Sequence, residues 1–164
     1  MSMIANFVAV DPQQLAALVA NPDLVPSFLH PEDAGAEPAN YLDIDKAWHA
    51  IHFTLNGEEL VGEGPLFLVV MGGEGIGDDV GYGPARYLTP AQVKVVAAAV
   101  AAIGPDAFNA RFDLAALEAA DVYPQIWEGD DPEAFEYVLS YYNQLSSFYQ
   151  SAAKRGDAVL LYLN

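Results

Sequence analysis

The side chains best suited to chemistry gather in one stretch. "LDIDKAWHAIHFTLNG", Leu42 to Gly57, holds Trp48 and two of the chain's three histidines, His49 and His52. Imidazoles three residues apart are neighbours on a helix, and that spacing can hold a metal ion. The pattern stops short of a metal site. No H-E-x-x-H is present, and a third ligand must come from a distant segment. His52 therefore reads as a core histidine bonded to a loop carbonyl, and Trp48 as a core anchor whose indole N–H reaches one acceptor. No metal or cofactor is expected.

A second stretch, "GGEGIGDDVGYGPARYLTP", follows an apolar run and carries Gly72, Gly73, Gly75, Gly77, Gly81 and Gly83. Glycines after a strand suggest a phosphate cradle. The G-x-x-x-x-G-K-[ST] pattern is missing, and so is G-x-G-x-x-G. Glu74, Asp78 and Asp79 stand where an anion would bind and repel it. These acids also lack the alternate spacing of a calcium loop. The stretch from Gly72 to Pro84 is expected as a surface loop. Arg86, isolated between Lys46 and Lys94, is expected to pair with Asp78 or Asp79. The competing reading puts Tyr82, Arg86 and Tyr87 at the lip of a ligand pocket.

Other catalytic sets fail on supply. No serine sits in a G-x-S-x-G elbow, and the chain has no cysteine. Acid pairs are abundant because 23 Asp and Glu make chance pairs inevitable. "DVYPQIWEGDD" sets Tyr123, Pro124 and Trp127 beside acids. It reads either as a loop that plugs its aromatics into the core or as a recognition surface.

Elements must position these residues. Ile4–Val10 reads as a buried strand. Asp11-Pro12 opens a helix through "QQLAALVA", which Asn21-Pro22 ends. Asn21 to Asn40 reads as a loop with a helical turn near Leu24–Leu29. Asp43 or Asp45 can cap the next helix, where Ile44, Trp48, Ile51, His52 and Leu55 share one face. "PLFLVVMGG" from Pro65 reads as a second strand. Thr89-Pro90 caps a helix that Gly104-Pro105 stops, and "PDAFNARF" and "DLAALEAA" follow as short helical turns. Asp131-Pro132 opens the longest helix, which closes on Lys154, Arg155 and Gly156. "AVLLYLN" is the third strand. The expected fold is one α+β domain over residues 1–164. It has a small mixed sheet, several helices packed on it, and both terminal strands in the sheet.

Charge bounds the partners. Six Lys and Arg face those 23 acids, for a net charge of −17. Such a field repels phosphate backbones and anionic membranes and favours basic proteins. No apolar run approaches the roughly 20 residues of a membrane span, and no signal pattern opens the chain. A cytoplasmic protein is expected.

Five stretches in order, "MIANF", "YLDIDKAWHAIHFTLNG", "GIGDDVGYGPARYLTP", "DVYPQIW" and "AVLLYL", resemble the YfbM-like family of bacterial proteins of unknown function. The resemblance covers nearly the whole chain. It implies a small cytoplasmic α+β domain and no particular reaction. Two readings of function follow. The first is a non-catalytic binding protein with an acidic surface, one version being an inhibitor or immunity-type protein for a basic partner. The second is an enzyme or small-ligand binder with a pocket built from Trp48, His52, Tyr82, Arg86 and Trp127.

Overall fold

The computed structural model describes residues 2–32 and 37–164. The strands are β1 (Ala5–Val10), β2 (Tyr41–Asp43), β3 (Glu74–Asp79), β4 (Pro84–Leu88) and β5 (Ala158–Leu163). They form one sheet in the order β2-β1-β5-β4-β3, and every neighbouring pair is antiparallel. The sheet is thus antiparallel rather than mixed. The two terminal strands lie side by side at its centre, with Ala5 opposite Leu163 and Val10 opposite Ala158.

Helices cover both faces. Phe7, Ala9, Leu88, Val159 and Leu161 point to the larger core. This core includes residues of α3 (Trp48–Asn56), α5 (Pro90–Ala102), α6 (Pro105–Arg111), α7 (Leu114–Ala119) and α8 (Pro132–Arg155). Val8, Val10, Ile76, Ala85, Leu160 and Tyr162 point the other way, onto α1 (Pro12–Ala20) and α2 (Val25–Leu29). Every residue of β1 is therefore buried, which is why its sequence is apolar without alternation at every position but Asn6. α+β is the fold class. No single described helix is long and apolar enough to cross a membrane.

The expected helix starts are observed. Asp11 accepts from the Gln14 N–H, Thr89 and Gln92 form a reciprocal capping box, and Asp131 accepts from the Glu133 N–H. Gly156 closes α8 in the left-handed conformation, behind Lys154 and Arg155. Neither Asp43 nor Asp45 caps α3, whose N-cap is Ala47; Asp43 instead accepts from the Asp45 N–H (2.6 Å) at the start of the 3-10 turn Asp45–Ala47 that leads into it.

Two expectations are corrected. Pro65–Leu68 is a short helix, α4, not a strand. Gly64 at φ +106° followed by proline at the first helical position starts a helix, and an apolar run has no period that distinguishes the two states. The glycine-rich stretch is not a loop throughout: β3 and β4 pair across it as a hairpin with a register shift between Ile76 and Asp79. Glycine is required there by close approach. Gly73 sits at φ +99°, and a Cβ on it would lie 2.8 Å from the Tyr87 carbonyl oxygen. Of the expected loop Asn21–Asn40, residues 33–36 lie outside the described residues.

Gly73→Ala should then destabilise the protein by roughly 1–3 kcal/mol, the usual cost of forcing a side chain into such a conformation. Urea unfolding of the variant against the parent measures it, and an unchanged midpoint would contradict the hairpin geometry.

Candidate functional site

Ile44, Trp48, Ile51, His52 and Leu55 are all buried, so the apolar face of α3 and the residues leading into it is the one that the spacing predicts. Trp48 lies near the amino terminus. Its indole N–H donates to the Met3 carbonyl (3.0 Å), and its ring stacks on His49 (centroids 4.9 Å apart) and on Tyr123 (6.0 Å). Tyr123 completes a closed circuit. Its hydroxyl accepts from the Met3 N–H (2.9 Å), and its own N–H donates to His49 Nδ1 (3.0 Å). The backbone of Met3 is thus held at both its donor and its acceptor. His49 must carry its proton on Nε2 to accept at Nδ1.

His52 is fully buried one turn further on. Its Nε2–H donates to the Glu59 carbonyl (2.8 Å), and its ring meets Phe67 edge-on. Asn56 follows at the next turn and donates to the Leu66 carbonyl (3.0 Å) and to the His52 carbonyl (3.2 Å). Both imidazoles titrate below their ordinary value. Burial is the main cause for each. The charge of His52 adds to it for His49, and that of Arg86 for His52, where the Glu59 carbonyl partly offsets the fall.

Arg86 is half-buried on β4, opposite Gly75. Its guanidinium donates to the Val70 carbonyl (3.1 Å) and the Gly72 carbonyl (3.0 Å). The expected ion pair with Asp78 or Asp79 is not formed. The acids lie beyond the register shift at the other end of the hairpin, and Asp79 caps the Gly81 N–H instead (2.7 Å). Arg86 staples the turn after α4 to the sheet, next to Tyr149, whose hydroxyl donates to the Val69 carbonyl (2.7 Å). Burial pushes the Tyr149 hydroxyl far up, so it stays protonated as a donor.

The five residues considered for a pocket are distributed as follows. Trp48 and His52 share a helix face, and His52 is close enough to Arg86 to feel its charge. Tyr82 is exposed in the turn between β3 and β4. Trp127 is buried, donating to the Val122 carbonyl (2.7 Å). It floors a cleft of about 230 Å³ with Leu117, rimmed by Glu118, Asp121, Gln125 and Glu128. A second cleft, of about 240 Å³, lies between the start of α1, Phe28 and Pro38–Asn40. Neither cleft is lined by Trp48, His52, Tyr82 or Arg86. Among the described residues, no three His, Asp or Glu side chains come close enough to hold a metal ion. Sequence reasoning missed Asn56, Tyr123 and Tyr149 as partners of these groups. Asn56 and Tyr149 bond to carbonyls of the segment around α4, which the sequence pattern assigns to a strand.

A family model described as a domain of unknown function, DUF1877, matches residues 1–162. The chain belongs to this family. The crystal structure of YfbM from Escherichia coli, itself a protein of unknown function, superimposes with a TM-score of 0.76. That likeness covers 98% of this chain and 99% of YfbM at 20% identity, and shows that the DUF1877 member and YfbM share a fold. The YfbM-like resemblance in the sequence is therefore real. No curated protein matches the chain.

Trp48→Ala should cost about 3–5 kcal/mol in urea unfolding, because it empties a large core site and frees the Met3 carbonyl. A variant that unfolds like the parent would contradict the aromatic circuit. A second expectation concerns pH. Well above pH 6.5 the two imidazoles are neutral in both folded and unfolded chains and leave stability unchanged. Below 6.5 the unfolded chain takes up protons that the folded chain refuses. Stability should thus fall as pH drops from 6.5 toward the lowered folded values. Unfolding curves at a series of pH values above the carboxylate range test this, and a profile flat through 6.5 would refute it.

Proposed function

We propose that this DUF1877 protein is a non-catalytic, cytoplasmic binding protein that meets a basic protein partner through its acidic surface. The observation that carries the reading is where the charge sits. The chain's net charge is −17, and Asp157 is the single buried carboxylate among the described residues. Its bond to Arg155 (2.6 Å) is also the one ion pair found among them. The other described acids are therefore neither fully buried nor paired with a cation, and they project a field of one sign into solvent. The groups suited to chemistry support the same reading. Trp48, His52, Arg86 and Trp127 each donate to a backbone carbonyl, and His49 accepts from a backbone N–H.

Charge of this kind acts on encounter. The native partner, retrieved by affinity purification at low salt and identified by mass spectrometry, should be basic. Its association rate should fall as ionic strength rises from about 0.02 to about 0.5 M, over which the Debye length shrinks several-fold. Stopped-flow kinetics read the effect. A rate flat over that range, or tight binding of DNA or RNA at about 0.15 M salt, would refute the proposal.

A further inference from the structure

Polar side chains of α3, buried His52 and half-buried Asn56, hold the loop between α3 and α4, and this loop puts apolar side chains into water. Val61 is 88% exposed, the most of any large apolar residue described, and its neighbour Leu60 is 44% exposed. A single exposed apolar side chain needs no explanation. Here two adjacent ones ride on a backbone fixed from beneath. The His52 ring fixes the loop at the Glu59 carbonyl, and Asn56 fixes its far side at the Leu66 carbonyl. Gly62 lies so close to the Phe67 ring that a Cβ there would come within 3.1 Å of it, and Phe67 in turn meets His52. Gly57 at φ +79° and Gly64 at φ +106° make the bends at either end. Around the tip stand Glu58, Glu59 and Glu63, all exposed, and no Lys or Arg occurs between Lys46 and Arg86.

We propose that the loop from Gly57 to Gly64 is a preformed protein-binding surface, and that its partner presents an apolar patch edged by Lys or Arg. Leu60 and Val61 supply the apolar centre of the contact and the glutamates its charged rim. A loop already fixed in shape loses little conformational freedom on binding, and this gives the buried His52 and half-buried Asn56 a role in recognition without touching the partner. The proposal rests on the function inferred above only for the sign of the partner's charge.

The test is an NMR titration of the ¹⁵N-labelled protein with a synthetic amphipathic peptide of Leu and Lys, whose apolar face is edged by ammonium groups. Amides of Glu58 to Glu63 should shift first and most. The exposed double substitution Leu60→Ser/Val61→Ser, which leaves the core intact, should weaken binding by about tenfold. Asn56→Ala keeps both apolar side chains and loosens the loop, and it should weaken binding while speeding hydrogen exchange at the loop amides. Glu118→Gln/Glu128→Gln changes the same kind of charge on the acidic cleft and should alter affinity by less than about twofold. Shifts that map to that cleft instead of the loop overturn the proposal, as does a Leu60→Ser/Val61→Ser protein that binds like the parent. A Glu-for-Lys peptide that binds the loop equally well refutes the charge reading of function and leaves the mapped surface standing.

Discussion

The pairing of β1 with β5 is the contact on which the rest of the molecule depends. Six residue pairs join the strands, from Ala5 with Leu163 to Val10 with Ala158. β2 adds to the outer side of β1 and β4 to the outer side of β5, so β2 and the β3–β4 hairpin join one sheet only through this ladder. The same pair supplies the central rows of both cores. Phe7 and Leu161 face the larger helical layer, and Val8 and Leu160 face α1 and α2. At its end the ladder is closed by polar contacts. Ile4 and Asn164 exchange backbone hydrogen bonds, and the Asn6 amide donates to the Asn164 side chain (2.8 Å).

A two-faced sheet under so many helices must satisfy many buried polar groups, and this explains why side chains suited to chemistry are engaged in structure. No buried side-chain nitrogen or oxygen among the described residues lacks a partner. The large residues of α8 show how this is done. Tyr142 donates to the Ile103 carbonyl at the end of α5 (2.7 Å), and Tyr149 donates to the Val69 carbonyl. Each ring fills core volume while its hydroxyl satisfies a helix-terminal or turn carbonyl. Trp48, Trp127 and Arg86 repeat the arrangement elsewhere. His49 and His52 follow the same logic in their neutral form, because a charged imidazole in these positions would meet the Tyr123 N–H and the Asn56 amide.

The legible parts of the fold were those where a local signal and the tertiary demand agree. Asp11-Pro12, Thr89-Pro90 and Asp131-Pro132 mark helix starts because capping is a contact within one turn. The terminal strands are legible because burial on both faces leaves runs that are apolar save for Asn6. Pro65–Leu68 carries a similar run and is a helix, since the Gly64-Pro65 start and its packing against α3 and α5, rather than its apolar period, decide between the states. β3 hides because four of its six residues are glycine or aspartate, poor strand formers that pair here through their backbones. The site divides in the same way. Trp48 and His52 are legible from helical spacing as core residues. The carbonyl partners of Arg86 are not, because they sit in the turn after α4, and a bond to a carbonyl leaves no trace in residue type. Nor does the anchoring of an exposed loop, since Asn56 reads as an ordinary helix stop.

The position of β5 has a consequence for synthesis. The strand at the centre of the sheet is made after the other four, and β1, made first, has to wait for a partner roughly 150 residues downstream. Until residues 158–163 leave the ribosome, the β3–β4 hairpin has no sheet to join, and the inner edge of β1 stands unpaired. Helices α1, α3, α5 and α8 can form as they emerge, but they have no complete floor to pack on. The nascent chain therefore keeps its two cores open until β5 is available, and the closing step joins segments roughly 150 residues apart. A product cut short by even those few residues loses the middle of its sheet and with it the support for both faces.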